Sequence, residues 1–170
     1  MPKIIENVRE QLLTEARRQI AERGYAKTTI RSVAGACRVG VGTVYNYFPS
    51  KDMLIASFMA DDWFRCVESL KKEYATPRER LSDIYEMLVD FARDHKVLFA
   101  DSDAEAVFHS VSSQRHKLLR DQIANLVHPA CREAQNGDFL TEFIAEALLT
   151  WTMAGKSFDE IYQMIEKLLK

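Results

Sequence analysis

Little in this sequence bends a chain sharply: 170 residues hold only six glycines and four prolines. A turn-rich all-β fold, which uses both at its many strand connections, finds little room here. Cysteine is scarce too. Cys37, Cys66 and Cys131 are far apart and odd in number, which argues against a disulfide framework and for a reduced, cytoplasmic protein. No apolar run approaches the ~18 residues of a membrane span, so no membrane partner is expected. The opening MPKIIENVREQL is charged throughout and lacks the apolar core of a signal peptide. Chemistry-bearing clusters are missing as well. His95, His109, His116 and His128 are scattered, so no metal is expected, and no cysteine has a neighbouring motif that marks a nucleophile. Gly40 and Gly42 lack the preceding strand and the Lys-Ser/Thr ending of a phosphate loop. No cofactor and no enzymatic activity are expected.

What is present is the balance of a soluble globular chain, 47% hydrophobic and 28% charged. Its net charge of −2 hides an asymmetry. Residues 1–51 carry nine Lys and Arg against four Glu, a balance of +5, which leaves −7 for residues 52–170. A basic first third on an acidic remainder points to a polyanion partner for the N-terminal part alone.

Hydrophobic spacing reads as helix nearly everywhere. Ile5, Val8, Leu12, Ala16 and Ile20 recur at three- to four-residue steps, and Gly24 supplies a stop. Thr28 is placed to cap a short second helix containing Ile30, Val33 and Ala34. A third helix ends at Pro49, and Ser50 caps a long fourth one from Lys51 towards Tyr74. Thr76-Pro77-Arg78-Glu79 offers an N-cap, proline at the first helical position and a capping-box Glu. Ser102 with Glu105 is a second such box, and a helix from about Gln114 to Ala134 carries Pro129, expected to kink it or split off its last turn. The last two helices are the most regular. One carries Phe139, Phe143, Ala147 and Trp151 and stops at Gly155; the other opens at Ser157 with Glu160 and carries Phe158, Ile161, Ile165 and Leu168. The expectation is an all-α fold of about nine helices.

One stretch breaks the rule of good helix formers. GVGTVYNYFPSKDML, from Gly40 to Leu54, opens on two glycines and three β-branched residues and then carries polar aromatics. Two short helices joined by a tight turn and preceded by a longer one describe a helix-turn-helix. The residues GYAKTTIRSVAGACRVGVGTVYNYFPSKDML resemble the N-terminal domain of TetR-like transcriptional repressors over roughly residues 8–60. The agreement runs through Gly24-Tyr25, Thr28, Val33-Ala34, Thr43 to Phe48 and Lys51-Asp52. The resemblance implies a DNA-binding domain over 1–50, with the helix-turn-helix at about 29–48, and a helical regulatory and dimerisation domain over 51–170 with helix 51–74 as connector. The chain departs from the family at Arg38, where a turn glycine is usual, and at Gly40, where a capping serine is usual.

Physical chemistry gives these positions roles. Gly40 and Gly42 remove bulk where a helix must approach the duplex. Thr43 suits a phosphate or a thymine methyl, Tyr45 and Tyr47 reach phosphates, and Asn46 can bond adenine bidentately. Thr28 and Lys51 are candidates for phosphate contacts, and Arg31 for a phosphate or a base contact. Arg38 either strains its turn, adopts a different turn, or gains a phosphate contact. Val33, Ala34, Val44 and Phe48 are assigned to the small core.

A lone helix-turn-helix binds weakly, so a homodimer reading two half-sites is expected. Phe139, Phe143, Ala147, Trp151, Phe158, Ile161, Ile165 and Leu168 are the candidate interface, as the resemblance also implies. The resemblance further implies a small-molecule cavity, with Trp63, Cys66, Tyr85, Phe91, His95, Phe108 and Trp151 as candidate lining for an apolar or aromatic ligand. The expected function is a repressor of a palindromic operator on double-stranded DNA, released by ligand. The alternative is the same fold used as a coregulator that binds a protein partner.

Overall fold

The computed structural model describes residues 7–100, 112–132 and 137–169. Among these residues there are nine helices and no strand. They are α1 (Val8–Lys27), α2 (Ile30–Ala36), α3 (Val41–Tyr47), α4 (Lys51–Ser69) and α5 (Pro77–Asp94), followed by α6 (Lys96–Phe99), α7 (Ser112–Cys131), α8 (Gly137–Met153) and α9 (Phe158–Leu168). None of the described helices is long and apolar enough to cross a membrane. The short α6 has no counterpart in the sequence reading. The box expected at Ser102 and Glu105 lies outside the described residues.

Helix ends follow local chemistry. Gly24 takes φ 81°, breaking α1 three residues before its assigned end, and Gly155 takes φ 79° just after α8. A side chain with a Cβ enters this left-handed region only at a cost, which is why glycine marks these stops. Ser157 and Glu160 form the full reciprocal box at the start of α9. At α5 the box is only half made. Thr76 accepts from the Glu79 N–H, but the Glu79 carboxylate reaches the Ala75 N–H instead of Thr76. Pro129 does not split α7, which runs two residues beyond it. That close to the helix end, few backbone bonds remain for the proline ring to disturb.

The fourth helix is shorter than its pattern suggested. It ends at Ser69, whose hydroxyl donates to the Cys66 carbonyl, and the Leu70 N–H tightens onto Val67. The following residues are pinned to α5 instead. Lys72 pairs with Asp83 at 2.8 Å, and the Arg80 guanidinium lies 4.4 Å from the Tyr74 ring centroid.

The chain divides into two compact units. One takes the chain up to Phe64 and resumes at Lys96; the other takes Arg65–His95 and the helices from α7 onward. The first unit therefore includes the opening turns of α4 as well as the three helices expected over 1–50. Its core comprises Leu12, Leu13, Ala16, Ile20, Val33, Ala34, Val44, Phe48, Ile55 and Phe58, with Leu98 from α6. In the second unit α7 and α8 pack together and both rest on α5, while α9 covers α5 and α8. Its core holds Leu81, Ile84 and Leu88 from α5, Ile123 and Val127 from α7, Ile144 and Leu148 from α8, and Ile161 and Ile165 from α9.

Candidate nucleic-acid interface

The seven residues of α3 could not hold a helix alone, because too few internal bonds offset the ordering of its backbone. Two anchors fix it. Val44 is fully buried and Phe48 nearly so, and burying each contributes about 1.5–3 kcal/mol. Gly40 is the N-cap and supplies no side-chain cap, so this helix start lacks the bond a serine would provide. With Val44 and Phe48 facing inward, Tyr45, Asn46 and Tyr47 face outward. The two tyrosines remain 51% and 47% exposed, and Thr43 is half-buried beside them. Gly42 is open as well: a Cβ added there would meet nothing within 4 Å.

A buried polar network holds α2 against α1. Gln19 is 1% exposed, yet its amide is fully engaged. Its Nε2 donates to Glu15 at 2.6 Å and to the Ser32 carbonyl at 3.1 Å, while its Oε1 lies 2.5 Å from the Ser32 hydroxyl. Ser32 in turn exchanges bonds with Thr29, and these two residues make the capping box of α2. Arg18 chiefly, with Gln19, holds the Glu15 carboxyl below the usual range. Sequence reading missed Gln19, because a glutamine between Arg18 and Ile20 gives no sign that it is buried.

The cap of α2 is thus Thr29, not Thr28. Thr28 is 1% exposed, and its hydroxyl donates to the Gly24 carbonyl at 2.8 Å, which removes it as a phosphate contact. The Gly24 turn folds back far enough to capture Thr28, so the cap moves one residue on.

Lys51 and Asp52 open α4 and clasp the end of α1. The Lys51 ammonium donates to the Tyr25 carbonyl at 3.1 Å and lies 3.5 Å from the Tyr25 ring centroid, and the Tyr25 hydroxyl bonds to Asp52. Lys51 is only partly exposed, and its ammonium is engaged by Tyr25.

The basic charge of this unit sorts into two groups. Arg9 pairs with Asp61, Arg17 makes a two-pronged contact with Asp62, and Arg18 bridges Glu15 and Glu22. These cations are neutralised within the unit. Arg31 and Arg38 are exposed and have no acidic partner among the described residues. Arg23 and Lys27 in the last turns of α1 also make no ion pair among the described residues, so the unpaired cations lie on the end of α1, on α2 and on the turn before α3. Exposed guanidinium groups, phenols and a free amide on one short helix and its flank are the groups that contact phosphates and base edges.

Of the candidate ligand residues, Trp63 belongs to the first unit and Cys66, Tyr85, Phe91, His95 and Trp151 to the second; Phe108 lies outside the described residues. Tyr85 packs on Phe158 and donates to the Lys156 carbonyl at 3.0 Å. His95 is buried, stacks on Phe91, and its Nδ1 lies 2.9 Å from the Phe91 carbonyl. Trp151 lines a shallow groove with Lys156, Glu160 and Ile161. Tyr85 and His95 thus have separate local partners. Among the described residues no group of His, Cys, Asp and Glu could hold a metal ion.

The candidate interface residues separate by burial. Phe139 (74% exposed), Phe143, Trp151 and Leu168 lie on the surface, together with Met153 and Met164. Ala147, Ile161 and Ile165 point into the unit's own core and offer no surface to a second copy. Phe158 is half-buried between Tyr85 and Tyr162, under the Arg78 guanidinium. The apolar stripes of α8 and α9 are wide enough to serve two faces, and residue type alone does not divide core from surface.

Comparison with known proteins places this geometry. Residues 12–58 match the family described as bacterial regulatory proteins, tetR family. The HTH-type transcriptional repressor KstR of Rhodococcus jostii is 30% identical over 169 residues, covering 93% of this chain and 79% of that protein. The HTH-type transcriptional regulator HbdR of an Aromatoleum species is 28% identical over 148 residues, covering 82% of this chain. The chain spans 62% of the length of HbdR, and 31% and 39% of two further relatives. In fold it is similar to FadR of Thermus thermophilus, a TetR-family repressor solved with lauroyl-CoA, with a TM-score of 0.57, 20% identity and coverage of 95% and 92% of the two chains.

Proposed function

Because the chain belongs to the TetR family of bacterial transcriptional regulators, we propose that it is a cytoplasmic homodimeric repressor that binds a palindromic operator and leaves it when a small apolar ligand binds. The observation that carries this reading is α3. A helix too short and too weak to stand alone is pinned by Val44 and Phe48 so that Thr43, Tyr45, Asn46 and Tyr47 stay free on its outer face. Asn46 reads a base edge, Tyr45, Tyr47 and Thr43 hold the backbone, and Arg31 adds a phosphate contact from α2. Lys51 steers one phosphate while holding the Tyr25 turn. A role for α3 in docking a protein partner is less favoured, since a protein-binding helix would present apolar residues on that face.

Dimerisation supplies the second half-site, through the exposed parts of α8 and α9. Phe139, Phe143, Trp151 and Leu168 form the contact, and an isologous pairing would cover them. The ligand site belongs to the C-terminal helices. A long-chain acyl thioester is the first class to test, since FadR of the same fold carries lauroyl-CoA.

The test is fluorescence anisotropy of the full chain on labelled DNA from its own upstream region, with and without lauroyl-CoA. The expected result is saturable binding that weakens steeply with salt and is reversed by a ligand of this class. Absence of operator-selective binding at low salt, in ligand-free protein, would overturn the reading.

A further inference from the structure

Four described residues have a left-handed backbone: Asn7, Gly24, Arg38 and Gly155. Glycine adopts this conformation freely and asparagine tolerates it, but an arginine is held there against the clash of its Cβ with the backbone. Arg38 has φ 56° in the turn between α2 and α3, with its N–H bonded to the Gly35 carbonyl at 3.2 Å. The following Val39 N–H bonds Ala34, so the turn is closed whichever residue occupies position 38. Among the described residues nothing the Arg38 side chain does offsets the strain. It is exposed and has no hydrogen bond, ion pair or ring partner among the described residues. A glycine here would relieve the backbone and cost no contact.

We infer that Arg38 is retained as a phosphate-binding residue, trading stability for affinity, and that it positions α3 without contributing to sequence choice. The inference rests on the DNA-binding reading above and extends it to a residue outside α3. Arg38 lies two residues before the N-cap Gly40, and Arg31, whose guanidinium also has no partner among the described residues, stands on the preceding helix. A fixed turn holds the base of the side chain while its length remains free. That suits a backbone contact, which needs reach and charge more than exact placement.

The test compares wild type with Arg38→Gly, Arg38→Ala and Arg38→Lys in the full chain, by thermal unfolding and by DNA titration at several salt concentrations. Arg38→Gly is expected to raise Tm by about 2–4 °C, the size of shift one relieved residue gives a chain of this length. It is expected to weaken operator and scrambled DNA by the same factor, with a deficit about twelvefold larger at 50 mM than at 200 mM salt, as for two lost phosphate contacts, one from each protomer. Arg38→Ala should lose the same affinity with no comparable gain in Tm, and Arg38→Lys should keep the salt slope. Unchanged affinity in Arg38→Gly would overturn the inference, as would a loss confined to the operator, which would mark a base contact. Failure of wild type to bind DNA at all would instead refute the family-level reading, so the two failures are distinguishable.

Discussion

At the scale of single residues, function shows where a side chain is missing or strained. Gly42 weakens α3 and nothing in the protein requires it, because a Cβ there meets open space. Gly42→Ala should therefore stabilise the fold by about 0.5 kcal/mol, since alanine orders more cheaply in a helix. The same substitution should weaken operator binding, because the added methyl enters the gap that the duplex must fill. Thermal unfolding and anisotropy on one preparation check both signs; a stabler protein with unchanged affinity would mean that the glycine gives no clearance. The residue pattern of α3 was legible in the sequence because its apolar and polar positions alternate at helical spacing. Gln19 and Thr29 were not legible. Burial of Gln19 depends on where Ser32 arrives across the helix pair, and the shift of the cap to Thr29 depends on a turn at Gly24 that captures Thr28.

At the scale of elements, helix ends written in short-range chemistry were readable, and lengths set by packing were not. The Ser157–Glu160 box was read correctly because both partners lie three residues apart. The end of α4 was missed because apolar residues continue past Ser69, although Lys72 and Tyr74 turn to Asp83 and Arg80. The boxes also carry a pH signature. Bonds from the Ser157 backbone and hydroxyl, and then from Lys156, hold the Glu160 carboxyl below its ordinary 4.5. At Glu146 burial pushes upward, but bonds from Thr150 and His116 outweigh it and the carboxyl again lies low. For a carboxylate depressed on folding, the stabilisation is fully present above the unfolded value and drains as pH falls through the folded one. Glu160→Gln should thus be less stable than wild type at pH 7, with the gap closing below about pH 4. Urea midpoints at both pH values measure this, and a gap independent of pH would remove the carboxylate from the account.

At the scale of the whole molecule, the claim is division of labour between a DNA-reading first unit and a dimerising second unit. The +5 of residues 1–51 is offset inside the first unit, which also takes in Asp52, Asp61 and Asp62. Three arginines of α1 are neutralised within the first unit, while Arg31 and Arg38 remain available near α3. On the second unit, Phe139 and Phe143 are exposed on α8, although the core beneath them is complete without them. Phe143→Glu should leave the helical content unchanged and convert a dimer to a monomer in sedimentation velocity. A wild-type monomer, or a variant that stays dimeric, would place the half-site pairing elsewhere. The sequence could not sort this face, because stripes that serve core and contact are built from the same residue types.

The central claim is that the outer face of α3 reads DNA sequence, and Asn46 carries most of that reading. The most direct measurement is the affinity of wild type and Asn46→Ala for a set of operators in which each base pair is changed in turn. The account predicts one position in each half-site where wild type loses about 1–3 kcal/mol and Asn46→Ala loses nothing further, with the other positions unaffected. Identical profiles for the two proteins at every position would contradict it.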